Sequence, residues 1–325
     1  MGRTKGQAMG RKIKVGLFGT SIPGLIEGAI NSYCTDGSIE FVEINTSERK
    51  KGNSTFSFLM TECRKWLKLC LNLHKIDVLV IVFVGPRSNL AASIAHIFHV
   101  KVIFYWLGSD VFALLNGKMP ALEKGCEADL HLAYGENLIS ELKQKNIEAD
   151  LLITPPDLPV DVAKMPSSHA VLLSIPDSSR EFYGYNAFLN LIQSFPDTPF
   201  YIVRSEREDL YKSPNVVFKG MLSREEMNTV FNNISISIRF PEHDGTSLVM
   251  MESLIKGKLL ISKSDFPYAV KANNYDELRD ALASLLDKPL VPNIEGHRYA
   301  LKAFSRREAG RKWFIYLSRL AESRG

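Results

Sequence analysis

The chain has 325 residues, enough for two domains of about 150 residues that each bury a core. Its apolar fraction of 45% and charged fraction of 23% are those of a globular protein, and no apolar run reaches the roughly 18 residues that span a bilayer. That excludes an integral helical membrane protein. The net charge of +4 is unevenly spread. Residues 1–14 carry five basic and no acidic side chains, residues 48–75 seven against two, and residues 298–325 eight against two, so a fold that gathers them makes one basic face. The basic start is not followed by a signal-peptide apolar region, and Met1-Gly2 lacks the Ser or Thr at position 6 that myristoylation needs, so a cytoplasmic protein is expected. Cys34, Cys63, Cys70 and Cys126 form no Cys-x-x-Cys pair and read as reduced, mostly buried thiols.

In chain order, Lys12 to Phe18 reads as a strand ending at Gly19-Thr20, with a helix from Pro23-Gly24 to Tyr33 and a second strand from Ile39 to Ile44. Gly19 has no Gly-x-Gly-x-x-Gly around it, so a dinucleotide fingerprint is absent; a ligand contact and a plain tight turn both suit it. From Cys63 to Lys75, apolar residues near helical spacing (Trp66, Leu67, Leu69, Cys70, Leu73) alternate with Arg64, Lys65 and Lys68. An ordinary helix packed on a sheet and a basic amphipathic helix at an anionic membrane surface both fit that pattern. Nucleic acid is not an expected partner, because no stacking platform or named motif accompanies the charge. The apolar run Ile76 to Val84 has the look of a strand buried on both faces of a parallel sheet, with its helix at Leu90 to Phe98. Strands follow at Val102 to Leu107 and Ala128 to Ala133, with a helix from Glu136 to Lys145. Asp110, just past the strand from Val102 to Leu107, fits an acceptor contact or a helix cap.

Leu151 to Pro159, with three prolines, is the expected linker. Beyond it, Ala170 to Ile175 reads as a strand, followed by a loop with Arg180, a helix from Tyr185 to Phe195, and a strand from Phe200 to Val203 that ends at Arg204. Ser223-Arg224-Glu225-Glu226 is a capping box. The alternating strand Ile234 to Arg239 leads into Pro241-Glu242-His243-Asp244-Gly245-Thr246-Ser247. Thr246 and Ser247 cap a helix to about Lys256, Gly257 stops it, and Leu259 to Ser262 is the next strand. The free amides at such a helix start, with the positive end of its dipole, favour an anion above the carboxyl edge of a sheet. Asp244 and Glu252 are eight apart. In the loop, Asp244 can accept bonds from sugar hydroxyls; Glu252, read as about two turns into the helix, can accept a pair from a ribose, while the amides of Gly245, Thr246 and Ser247 face phosphate or hexose oxygens. Solvated surface charges are the alternative reading of both carboxylates.

This block resembles the Glu-x7-Glu signature of the GT-B glycosyltransferases, the retaining group that includes glycogen synthase and the family 4 enzymes, with Asp244 in the first glutamate position. The segments Asn215 to Glu226 and Glu252 to Ser262 extend the match over much of the C-terminal half. Trp106-Leu107-Gly108-Ser109-Asp110 is similar to that family's "histidine, glycine, x, aspartate" stretch, with Trp106 in the histidine slot. Only Arg180 stands where relatives show an arginine and a lysine.

The resemblance implies an α/β fold of two Rossmann-like doubly wound domains facing a cleft. The expected division is residues 1–154 on the acceptor side, 155–304 for the nucleotide sugar, and 305–325 as a helix crossing back to the first domain. It further implies a hexosyltransferase-like activity that takes a sugar from a nucleotide diphosphate and keeps the anomeric configuration. Asp244 would hold the donor sugar and Glu252 the ribose. Asp110 would face the acceptor, and Gly19, Arg180, Arg204, Gly245, Thr246 and Ser247 the donor. No Asp-x-Asp signature is present, so no metal and no cofactor beyond the donor is expected. The acceptor, whether glycan, lipid or small molecule, is not legible. A nucleotide-sugar epimerase, or a protein that binds nucleotide sugars without chemistry, is the alternative.

Overall fold

The computed structural model describes residues 11–19, 23–44 and 55–323. The basic residues at 1–10 and 45–54, and the Thr20 end of the first strand, lie outside the described residues. The chain divides into two compact units, Met1–Asp157 with Arg306–Gly325, and Leu158–Ser305.

The first unit alternates β1 (Ile13–Gly19), α1 (Pro23–Tyr33), β2 (Ile39–Glu43), α2 (Thr55–Asn72), β3 (Val78–Val82), α3 (Ser88–Ile97), β4 (Lys101–Trp106), α4 (Ser109–Leu115), α5 (Pro120–Glu123), β5 (Leu130–Ala133), α6 (Glu136–Lys143) and β6 (Asp150–Leu151). Its sheet runs β2-β1-β3-β4-β5-β6 and is parallel throughout. All five residues of β3 are buried, as a parallel strand covered on both faces requires. The strand is shorter than its apolar run, because Ile76 closes the preceding turn through Leu73 instead of joining the ladder. Helix α3 starts two residues before its apolar pattern does, where the Ser88 hydroxyl accepts from the Gly85 amide at 2.9 Å.

The second unit comprises β7 (Val171–Ser174), α7 (Tyr185–Ser194), β8 (Phe200–Val203), β9 (Val216–Gly220), α8 (Arg224–Phe231), β10 (Ile236–Arg239), α9 (Leu248–Ile255), β11 (Leu259–Ser262), β12 (Val270–Lys271), α10 (Tyr275–Leu286) and α11 (Ile294–Ala303). Its sheet, ordered β12-β11-β10-β7-β8-β9, is also parallel. Val171, Leu173, Ile236, Ile238 and Ile261 from its central strands meet Phe188, Leu191, Leu278 and Leu282 from the covering helices in one buried core.

The last helix, α12 (Arg306–Glu322), belongs to the first unit and packs along α1. The two helices approach so closely that a Cβ on Gly310 would strike the Ala29 carbonyl. Buried Trp313 donates to Thr154 Oγ1 at 2.9 Å, and the same hydroxyl meets Tyr105 Oη at 2.8 Å, which ties the helix to β4 and to the strand-like segment after β6.

The cysteines depart from expectation. Cys63 is exposed, and Cys34, Cys70 and Cys126 are half-buried, all free. Cys63 and Cys70 belong to α2 (Thr55–Asn72), which is only partly covered by the sheet. Among the described residues no helix is long and apolar enough to cross a membrane.

Candidate active site

In each sheet the strand order reverses direction next to the first strand, between β1 and β3 in the first unit and between β7 and β10 in the second. Loops from the carboxyl ends of those two strands diverge there, and the crevice left between them is where open α/β sheets bind ligands.

In the second unit, β10 delivers Arg239 to that edge. The guanidinium is buried, stands over the Tyr183 ring at 4.8 Å and donates from Nε to Asp244 Oδ2 at 2.6 Å. Asp244 is thus the counterion of Arg239, with a side chain 19% exposed. The loop is pinned further by the Glu242 amide on the Phe182 carbonyl at 2.7 Å and by Lys263 on Glu242 at 3.1 Å. Nothing in the sequence marked Arg239 beyond a charge at the end of an alternating strand.

The helix that follows is shorter than its pattern. It runs from Leu248 with Ser247 as its N-cap residue, so Glu252 is the fifth helical residue, little more than one turn in, a correction to the two turns expected. Thr246 is buried in the turn before the helix, and the Ser247 side chain makes no capping bond. The first amides of α9 are therefore not closed off by the residue best placed to do so. At the other end, Gly257 (φ 68°) donates to Leu254 O at 2.9 Å and Lys258 to Ser253 O at 2.8 Å, the paired bonds of a Schellman stop. Glu252 is half-buried, and its carboxyl group makes no hydrogen bond among the described residues. Burial pushes it up to about 7, against the opposing pull of Arg224 and Lys256.

On the β7 side, Asp177 accepts from Ser205 Oγ at 2.5 Å and from the Glu206 amide at 2.8 Å, which locks together the loops after β7 and β8. Arg180 stands over the Tyr185 ring at 5.0 Å and bonds Glu181 at 3.0 Å. Arg204 is exposed in a left-handed conformation (φ 69°), its amide fixed on Gly220 O at 2.8 Å. The second unit thus carries Arg180, Arg204, Asp244, Gly245, Thr246, Ser247 and Glu252 on the loops and helix start at one sheet edge.

In the first unit, Gly19 (φ 146°) ends β1 so close to β3 that a Cβ would strike the Val82 carbonyl. Beside it lies a cavity of about 470 Å³ lined by Phe18, Trp66 and Phe83 and edged by Glu62, Lys65 and Arg87. Trp66 packs edge-on to Phe18 at 5.9 Å, and Phe83 holds a positive φ of 64° with its ring 43% exposed. An aromatic residue in that region is strained, and such strain is stored at binding sites. Glu62 bridges Lys65 at 3.2 Å and Arg87 at 3.6 Å. Of these residues Gly19 stood out in the sequence as a ligand-contact candidate, and Trp66 and Lys65 only as part of a basic amphipathic stretch; that they meet Phe18 and Phe83 is a tertiary fact.

Asp110 is fully buried in the first unit. Its carboxylate accepts from the amides of Val84, Leu107, Gly108 and Val111 at 2.7–3.1 Å, which occupies both oxygens and clamps the loop after β3 to the start of α4. Burial nonetheless raises its pKa, with the four amides pulling the other way. Trp106 is likewise fully buried and donates to His131 Nδ1 at 3.3 Å; burial lowers that histidine to about 4, which keeps it neutral and able to accept.

No protein-family profile matches this chain, and no curated protein matches it in sequence. Solved structures do match in three dimensions. Sucrose-phosphate synthase from Thermosynechococcus elongatus superposes with a TM-score of 0.71 at 11% identity, over 97% of this chain and 100% of that one. A protein of Listeria monocytogenes described as a UDP-N-acetylglucosamine 2-epimerase gives 0.58 at 11% identity, over 96% and 97%. A variant of S. aureus TarM, solved in complex with Fondaparinux, alpha-GlcNAc-glycerol and UDP, gives 0.53 at 11% identity over 78% of this chain, which spans only 58% of the TarM chain. At such identities the likeness concerns the fold alone: two parallel, Rossmann-like α/β units, the GT-B fold of glycosyltransferases.

Proposed function

We propose that the protein is a glycosyltransferase that moves a sugar from a nucleoside diphosphate donor to an acceptor hydroxyl, with retention of configuration and without a metal. The observation that carries this reading is the edge of the second unit, where helix start α9 lacks its side-chain cap and a half-buried Glu252 without a hydrogen-bond partner follows one turn later. An anion satisfies the first and a vicinal diol the second, and a nucleoside diphosphate sugar has both. In this reading the ribose hydroxyls donate to Glu252, and the diphosphate lies against the amides of Gly245, Thr246 and Ser247. Arg180 and Arg204 reach it from the β7 and β8 loops, and Asp244, set by Arg239, takes hydroxyls of the donor sugar.

As the bond from the anomeric carbon to the diphosphate oxygen breaks, the electron pair stays on the phosphate. The helix dipole, the amides and the arginines then stabilise the developing charge. The acceptor oxygen forms the new bond to that carbon, and its proton passes to the departing phosphate oxygen. The acceptor we assign to the first-unit cavity between Phe18, Trp66 and Phe83, whose flat aromatic faces and ionic rim suit a sugar or similar ring with a polar edge. Asp110 holds the loop after β3, which lines this cavity, against the loop after β4, as a positioning residue.

Melting with a panel of nucleoside diphosphates and their sugars tests the donor site. Stabilisation by one base, lost in Glu252→Ala, is expected, because a ligand of the native state raises stability by mass action. No shift with any member of the panel refutes the proposal. A second reading, nucleotide-sugar epimerisation, is favoured by the fold match to the Listeria protein over nearly its whole length. Incubation of nucleotide sugars without an acceptor separates the two, since isomerised sugar in that reaction points to the epimerase.

A further inference from the structure

Helix α2 has two faces of different chemistry. Its inner face supplies Glu62, Lys65 and Trp66 to the first-unit cavity. Its outer face carries Met60, Leu67 and Leu71, which are 43%, 59% and 59% exposed. Their spacings of seven and four residues align them in one stripe along the helix. Exposed Arg64 sits within the stripe and Lys68 beside it. Glu62 is the one carboxylate in the helix, and it is turned inward onto Lys65 and Arg87. The outer face is therefore apolar and cationic, with no acidic residue of its own.

The same helix runs straight into a basic hollow. The turn Leu73–Lys75 that ends it contributes His74 and Lys75 to a depression of about 520 Å³, together with Arg11, Lys12 and Lys14. Two acids share the hollow, Glu40 and Asp77. Asp77 is buried and engaged by Arg11 at 2.7 Å and by the Lys14 amide at 2.9 Å. Lys12 and Lys14 make no ion pair among the described residues, and Lys75 meets only Asn72 Oδ1 at 3.3 Å. On the neighbouring α3, which right-handed crossovers place on the same face of the sheet, Leu90 and Ile97 add 54% and 74% exposed aliphatic side chains.

An apolar stripe next to a hollow with surplus cations matches one kind of partner. We propose that this face docks on a lipid surface that bears anionic phosphate headgroups, with Met60, Leu67 and Leu71 in the boundary between headgroups and acyl chains and the hollow's lysines on the phosphates. Isolated exposed aliphatic residues mean little, but a stripe in helical register with its own cationic flank is the arrangement by which a helix lies in a membrane interface. Trp66, the residue that drew attention in the sequence, takes no part, because it faces the cavity. The inference does not rest on the proposed chemistry of the second unit.

Co-sedimentation of the full chain with vesicles of phosphatidylcholine, with and without phosphatidylglycerol, tests it. Binding to the anionic vesicles that weakens with salt is expected. The double variant Leu67→Gln/Leu71→Gln lowers partitioning by about tenfold or more, and Lys12→Gln/Lys14→Gln by a similar factor. All four side chains lie at the surface, so an unchanged far-ultraviolet circular dichroism spectrum certifies the fold. Inorganic phosphate at matched charge leaves vesicle binding largely intact if the lipid surface is the partner. Three results overturn the proposal. They are no binding to anionic vesicles at low salt, binding indifferent to the leucine variants and abolished by free phosphate, and a dimer in light scattering that the leucine variants dissociate while vesicles go unbound. The second result marks the hollow as a site for free anions, and the third marks the stripe as a self-association face.

Discussion

Two carboxylates, one fully buried and one half-buried, answer opposite needs. Asp110 has every oxygen engaged by backbone amides, so its worth is structural. Asp110→Asn turns an amide donor toward the Val84 or Leu107 N–H and should cost about 2–3 kcal/mol of stability, read as a lower melting temperature. A variant as stable as the parent contradicts the clamp. Glu252 has no such partners, and its ordinary value of 4.5 is raised to about 7 by burial. The unfolded chain then gives up this proton at a lower pH than the folded one. Between pH 4.5 and about 7 the folded state holds more protons, so Glu252 makes stability fall as pH rises through that window. Glu252→Gln removes this contribution, so the variant should gain melting temperature relative to the parent between pH 5 and pH 8, and a constant difference counts against the raised value. Only the ionised carboxylate accepts from both hydroxyls of a ribose. Affinity for a nucleoside diphosphate sugar, whose doubly esterified diphosphate does not titrate there, should therefore rise by up to about tenfold from pH 6 to pH 8, and the slope should vanish in Glu252→Gln. Calorimetric titration across that range reads it directly.

At the scale of elements, helix ends position the proposed donor site. The stop of α9 depends on Gly257 at φ 68°, and a Cβ there would also approach Val162 Cγ1 at 3.0 Å. Gly257→Ala should cost about 1–2 kcal/mol, measured by chemical denaturation. The start of α8 is a full capping box, with the Ser223 hydroxyl accepting from the Glu226 amide and the Glu226 carboxylate from the Ser223 amide. That box was legible as Ser-x-x-Glu because a cap is a contact between residues three apart. The start of α9 was not. Thr246 and Ser247 are good capping types, yet one is buried in the turn and the other makes no cap bond, an outcome set by how Arg239 and Asp244 fold the loop before them. Periodicity likewise located most strands and helices, but it marked nothing at α10 and α11 or at the short β6, β12, α4 and α5, and it stretched several others by a residue or two, since apolar character continues past the last ladder bond.

For the molecule as a whole, each unit has its own parallel sheet and its own reversal of strand order, and α12 returns to the first unit. Trp313 anchors that return by packing edge-on to Tyr105 at 5.2 Å and bonding Thr154. Trp313→Ala should remove about 3–5 kcal/mol from the first unit. Hydrogen exchange followed by mass spectrometry should then speed up in β1, β3 and β4 and stay unchanged in β7, β10 and β11. Equal acceleration in both sheets contradicts separate cores.

The alternation of strand and helix, the parallel sheets and the acidic loop ahead of a short helix follow from order along the chain, because propensity, periodicity and capping act between near neighbours. The ion pair of Arg239 with Asp244, the unpartnered setting of Glu252, the inward turn of Trp66 and the engagement of Asp110 depend on residues brought together from distant segments. Burial and electrostatic environment are properties of that assembly. Residue type alone named the carboxylates, and only the packed structure decided which of them is anchored by amides and which is left with oxygens to offer a ligand.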